Sequence, residues 1–157
     1  MSQKTIAFGA DHGGYKLKQD LAKHLRGMGF KVLDFGTDNF DAVDYPDIAE
    51  VVVGAILNGK AEQGVLVSGS GIGMSIAANR HNGIRAALCN NEKAAELAKQ
   101  HNNANILCLG ERLIELSIAK QCVEKFFFSE FQGGRHRNGL DNGRCGLLGT
   151  AHDQQEA

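Results

Sequence analysis

A chain of 157 residues is long enough for one domain with a substantial buried core. Its 17 basic and 18 acidic side chains nearly cancel, and no run of lysine or arginine stands out, which argues against a nucleic-acid or membrane-surface binder. No signal peptide precedes the first strand-like segment and no apolar run is long enough to span a membrane, so the cytoplasm is the expected compartment.

The spacing of apolar residues predicts a first strand over Lys4 to Ala10. Gly13-Gly14 then turns the chain into a helix with Leu17, Leu21, Leu25 and Met28 on one face, stopped by Gly29. A second strand runs from Lys31 to Phe35, and a polar loop leads to Tyr45. Pro46 suits the first turn of a second helix, with Ile48, Val51, Val52 and Ala55 sharing a face and Asn58-Gly59 at its end. The next stretch is the most informative in the chain. Gly64-Val65-Leu66-Val67-Ser68 reads as a strand buried on both faces, and Gly69-Ser70-Gly71-Ile72-Gly73 as a glycine loop. Ile76-Ala77-Ala78 marks the apolar pattern of a third helix. Strand, glycine loop and helix together present backbone N–H groups to an anion. No Lys-Ser or Lys-Thr follows the glycines, so this is not a Walker phosphate loop. An ordinary turn is the plain alternative.

Arg85 to Cys89 reads as a short fourth strand, Glu92 to Gln100 as a fourth helix, and Ile106 to Leu109 as a fifth strand turned by Gly110. Leu113 to Phe128 completes the set as a fifth helix with Ile114, Ile118, Cys122 and Phe126 inward. Alternation of this kind predicts a single-domain, doubly wound α/β/α sandwich of Rossmann-like type, around a five-stranded parallel sheet. The domain is expected to cover 1–131. Residues 132–157, broken by Gly133, Gly134, Gly139, Gly143, Gly146 and Gly149, read as an arm lying on another surface or partly disordered. The cysteines at 89, 108, 122 and 145 form no Cys-x-x-Cys pair and read as reduced core thiols. The six histidines lack zinc-type spacing, so neither a metal nor another cofactor is expected.

Ligands of an open parallel sheet bind beyond the carboxyl ends of its strands. That rule selects Asp11 and His12, the Ser68 to Gly73 stretch, Asn90, and Glu111-Arg112. His101-Asn102-Asn103 ends the fourth helix, on the opposite face of the sheet, where it reaches a cleft only in a second subunit. Arg135-His136-Arg137 in the arm crosses in the same way. Each has a plainer reading. Asp11-His12 also suits a helix cap, His101 a histidine favoured by a helix dipole, and Arg112, Arg135 and His136 solvated surface groups. A dinucleotide site is a poor match. Gly9-Ala10-Asp11-His12-Gly13-Gly14 lacks the middle glycine of Gly-x-Gly-x-x-Gly and puts a carboxylate where pyrophosphate would lie.

Several ordered motifs agree on one resemblance. They are Gly9 to Gly14, Asp44-Tyr45-Pro46-Asp47, Gly69 to Asn79, Gly83-Ile84-Arg85-Ala86, His101 to Asn105, Gly110-Glu111-Arg112 and Gly133-Gly134-Arg135-His136. Together they resemble the ribose-5-phosphate isomerase B family, which includes the galactose-6-phosphate isomerase subunits. The resemblance implies a metal-free aldose–ketose isomerase of phosphorylated sugars, a dimer or tetramer with clefts between subunits. It implies that His101 assists opening of the furanose ring and that Asp11 handles a sugar-hydroxyl proton. It assigns the phosphate to His12, Arg112 and Arg135, with His136 close by, and the sugar to Asn102 and Tyr45. The Gly69, Gly71 and Gly73 loop would hold the enediolate through backbone N–H groups, with Ser70 beside it.

Two departures stand out. The family's proton-transfer base is usually a cysteine at the position of Ser68, or in some members a glutamate at the position of Met74, and this chain has neither. Relatives also carry a further phosphate-binding arginine where Gly139 stands here. A phosphosugar-binding protein without efficient turnover, or a subunit resembling those for galactose 6-phosphate, are the alternatives these departures leave open.

Overall fold

The structure, a computed structural model, describes residues 4–36 and 44–134. Five strands, β1 (Thr5–Ala10), β2 (Lys31–Gly36), β3 (Gln63–Ser68), β4 (Ala86–Leu88) and β5 (Ile106–Gly110), form one sheet in the order β2-β1-β3-β5-β4, every pair parallel. Five helices alternate with them: α1 (Tyr15–Gly27), α2 (Tyr45–Leu57), α3 (Ile72–Asn79), α4 (Glu92–Asn102) and α5 (Leu116–Phe128). The expected α/β class and five-stranded parallel sheet are thus present. No helix among the described residues is long and apolar enough to cross a membrane.

Side chains on a strand alternate between faces, and the three central strands use both. Ile6, Phe8, Ala10, Val65, Val67, Leu107 and Leu109 face α1, α4 and α5 in one buried layer. Ala7, Leu66, Ile106 and Cys108 face α2 and α3 in the other. Leu17, Leu21 and Leu25 of α1 are buried as the spacing required, and Met28 packs at the rim.

The structure corrects four local expectations. On α2 it is Ile48, Ala49, Val52, Val53 and Ala55 that are buried, whereas Val51 is exposed, because the helix packs on both the sheet and α3. Helix α3 begins at Ile72 rather than Ile76, directly after Gly71 in the left-handed region (φ 78°). Here the turn geometry overrides the poor helix propensity of Gly73. Strand β4 is only Ala86–Leu88, half-buried at the sheet edge, without the flanking Arg85 and Cys89. Helix α5 starts at Leu116, since Leu113 N–H closes a turn on Gly110 C=O instead.

Two lysines are buried. Lys18 is fully enclosed and its Nζ donates to Asp34 Oδ1 at 2.6 Å, tying α1 to β2. Lys99 is buried near the amino ends of the strands, donating to Gln63 Oε1 with its Nζ 4.2 Å from the centroid of the Phe126 ring. Burial, then Lys4 and Arg85 nearby, lowers its pKa from 10.5 to about 8. Below pH 8 the folded and unfolded chains both carry the proton, and the cost of enclosing a charge is fully felt. Between 8 and 10.5 the unfolded chain holds more protons, so the wild type gains stability as pH rises. Lys99→Met is therefore expected to add about 1–3 kcal/mol at pH 7. The advantage should narrow in paired thermal melts taken toward pH 10.5.

Candidate active site

Helix α1 leaves β1 toward β2, whereas α3 leaves β3 in the other direction, so the chain changes course between these neighbouring strands. Such a switch point opens a crevice at the carboxyl ends of the sheet. The loops after β1, β3 and β5 meet there in register, Ala10 pairing with Val67 and Ser68 with Gly110.

Asp11 is buried at the end of β1, and its Oδ1 accepts from Gly13 N–H at 2.9 Å. It therefore caps the short 3-10 turn His12–Gly14 while lying at the crevice floor. Gly13 passes so close to the next loop that an added Cβ would sit 3.0 Å from Gly69 N. His12 is exposed beside it.

Ser68 is buried at the end of β3, and its Oγ accepts from Gly71 N–H at 2.8 Å. Ser70 Oγ accepts from Ile72 N–H at 3.2 Å. Among the described residues no acceptor meets the N–H groups of Gly69, Ser70, Gly73 or Met74, the last two being first-turn amides of α3. The loop is thus a nest of amides pointing out of the sheet. Arg112 lies across it, its guanidinium carbon 3.2 Å from where a Gly69 Cβ would be, and Arg112 N–H donates to Gly69 C=O at 3.0 Å. The Tyr45 ring covers the other end, occupying the space beside Gly73.

Asp11, His12, Tyr45, Ser68, the Gly69–Gly71–Gly73 loop with Ser70, and Arg112 are thereby brought to one crevice. His101 and Asn102 are not. Helix α4 runs back from that edge and ends at the amino end of the sheet, where Asn105 C=O accepts from Gly64 N–H at the foot of β3. The separation is therefore one of sheet ends rather than sheet faces. Arg135 and His136 lie outside the described residues, as does the rest of the arm beyond Gly134.

Two features escaped the residue-by-residue reading. Glu111 Oε1 accepts from Leu17 N–H at 2.7 Å, clamping the start of α1 to the end of β5. The partners are 94 positions apart and no local pattern announces the bond. Lys18 follows Leu17 and precedes Leu21 by three, so its inward face was there to be seen in the helical spacing. Cys89, Cys108 and Cys122 are buried free thiols. Burial pushes Cys89 up to about 11 and Cys122 to about 12, and raises Cys108 as well, so all three stay protonated near neutral pH. Met74 is fully buried in the layer under α3.

A sequence profile described as Ribose/Galactose Isomerase matches residues 6–142. The chain belongs to that family. Ribose-5-phosphate isomerase B of Escherichia coli is 41% identical over 138 residues, covering 88% of this chain and 93% of the relative. D-erythrulose-4-phosphate isomerase of Pectobacterium atrosepticum is 40% identical over 131 residues, covering 83% and 86%. Among solved structures, a ribose 5-phosphate isomerase from Thermotoga maritima superposes with a TM-score of 0.87 at 46% identity, over 90% of this chain and 97% of that one. The parallel sheet and its helices are thus those of the family.

Proposed function

We propose that this chain interconverts ribose 5-phosphate and ribulose 5-phosphate through an open-chain sugar and an enediolate. The supporting observation is the nest of unaccepted N–H groups at Gly69, Ser70, Gly73 and Met74 with a guanidinium across it. Moving a proton from C2 to C1 of an aldose places negative charge on the O1–O2 edge, where fixed amides are most useful. His12 and Arg112 hold the dianionic phosphate with Arg135, the arginine fork suiting its geometry, and His136 lies near. Asp11 exchanges a proton with a sugar hydroxyl, and Tyr45 with Asn102 lines the sugar. His101 opens the ring.

His101 and Asn102 enter this scheme from a second copy. Helices α2 and α3 leave Val51, Leu57, Ile72 and Ile76 exposed, an apolar surface that association would cover. The shared arrangement predicts complementation. Asp11→Asn and His101→Gln are each expected to lower ribose 5-phosphate conversion by about 10²–10⁴-fold, leaving a small residual rate. After the two are unfolded together and refolded, about a quarter of the sites regain both groups in a two-fold dimer. A mixture that stays inactive would place each complete site in one subunit.

A second reading, binding without efficient turnover, is favoured by the hydroxyl at Ser68. Following ketose formation from ribose 5-phosphate by NMR, beside a four-carbon aldose phosphate, separates it from the first and compares the two sugars. Isothermal titration with saturable binding but no product would select the second.

A further inference from the structure

Asn103 is the only non-glycine residue with positive φ (47°) among the described residues. It directly follows His101 and Asn102 and closes α4, its N–H bonded to Lys99 C=O and that of Ala104 to Ala98 C=O. A left-handed asparagine is tolerated but weakly held on its own. Here its carbonyl accepts from Arg85 Nε at 2.7 Å. Arg85 is in turn fastened on every side. Its N–H donates to Asn105 Oδ1 at 2.8 Å, and Asn105 Nδ2 donates to Gly83 C=O at 2.9 Å. Its C=O accepts from Asn105 N–H and Ile106 N–H at 2.9 and 3.3 Å. The guanidinium is half-buried, and no carboxylate of the described residues lies within ion-pair distance of it. Burial lowers its pKa. A partly desolvated cation that donates to the Asn103 carbonyl and, at 3.4 Å, to that of Gly83, at the one left-handed non-glycine turn among the described residues, is a costly arrangement for a generic surface.

We infer that Arg85 is a positioning residue: by clamping Asn103 in the left-handed turn, it sets the direction in which His101 and Asn102 leave the end of α4. The inference rests on the reading of those two residues as sugar-facing groups delivered to a neighbouring cleft. Arg85 itself touches no substrate. A displacement of about 1 Å in a catalytic group costs about a hundredfold in rate.

Arg85→Gln is expected to lower kcat about tenfold or more on ribose 5-phosphate while leaving KM nearly unchanged, because the phosphate grip lies at the other end of the sheet. Arg85→Lys keeps a donor within reach of the carbonyl and should restore most of the rate. In a His101→Gln background the Arg85→Gln change should cost little further, since its effect passes through the imidazole. An equal loss in both backgrounds, or an unchanged kcat in Arg85→Gln alone, would overturn the inference. Full activity of His101→Gln by itself would instead remove the reading beneath it. Should Arg85→Gln fail to fold, the His101 ring signals of Arg85→Met, which keeps an aliphatic stem but no donor, decide by NMR: a shifted ring environment supports the clamp, and wild-type signals refute it.

Discussion

Replacing Ser68 with cysteine is expected to raise kcat by about 10²–10⁴, the usual contribution of a positioned general base, with KM changed little. The geometry around Ser68 explains why the gain should be large. Its Oγ already receives Gly71 N–H at 2.8 Å, at the start of α3. A hydroxyl there remains protonated, and accepting an N–H bond makes it a still weaker base. A thiol in the same place has an ordinary pKa of about 8.5, and an amide donor at a helix start lowers it further. The variant's rate should therefore climb with pH as the thiolate forms, and alkylation with iodoacetamide should erase the gain. None of the native thiols among the described residues substitutes, since burial holds Cys89, Cys108 and Cys122 protonated. A Ser68→Cys protein that binds sugar phosphate normally and shows wild-type turnover would remove position 68 from the proton transfer.

Gly110→Ala should be among the most damaging single methyl groups in the crevice. Its Cβ would fall 2.4 Å from Ser70 O, 2.5 Å from Ser70 C and 2.8 Å from Ser70 Cα, all backbone atoms. A side chain can rotate away from such an intrusion, whereas the loop can only be lifted off the strand end. Lifting it turns the amides of Gly69 and Ser70 and moves Arg112, whose N–H is bonded to Gly69 C=O. The expected cost is about 1–3 kcal/mol of stability and at least about a hundredfold in kcat. Gly27→Ala is the contrasting change, because nothing lies within 4 Å of the added carbon. It should be neutral or stabilising by about 0.4–1 kcal/mol, with activity intact. Thermal melts and initial rates on both proteins make the comparison. Equal melting temperatures and rates would mean that the loop tolerates displacement, and that its amides are not held for catalysis.

Much of the carboxyl-edge crevice was legible in the sequence because its determinants are local. Val65-Leu66-Val67 is buried on both faces, and the glycines after Ser68 stand where backbone or side chain passes closely. Leu17, Leu21 and Leu25 carried the phase of α1 for the same reason. What could not be read depends on non-local packing. The insertion of β5 between β3 and β4 leaves no trace in the order of elements along the chain. The early start of α3 follows from the left-handed Gly71, whose Cβ would have met Leu88 and the Leu109 carbonyl group. Val51 shared an apolar phase with Ile48 and Val52 but points away from both layers.

Two helices begin at this crevice, and their first turns differ in what already occupies them. The amide of Leu17 in α1 is held by the carboxylate of Glu111, while Gly71 and Ile72 at the head of α3 rest on neutral hydroxyls. An arriving anion is repelled from the former and needs only to displace, or sit beside, an uncharged acceptor at the latter. The two helix starts are thereby unequal: the α1 amide is already spent on a carboxylate, whereas the α3 amides are kept for the oxyanion that the proposed reaction would develop in the sugar.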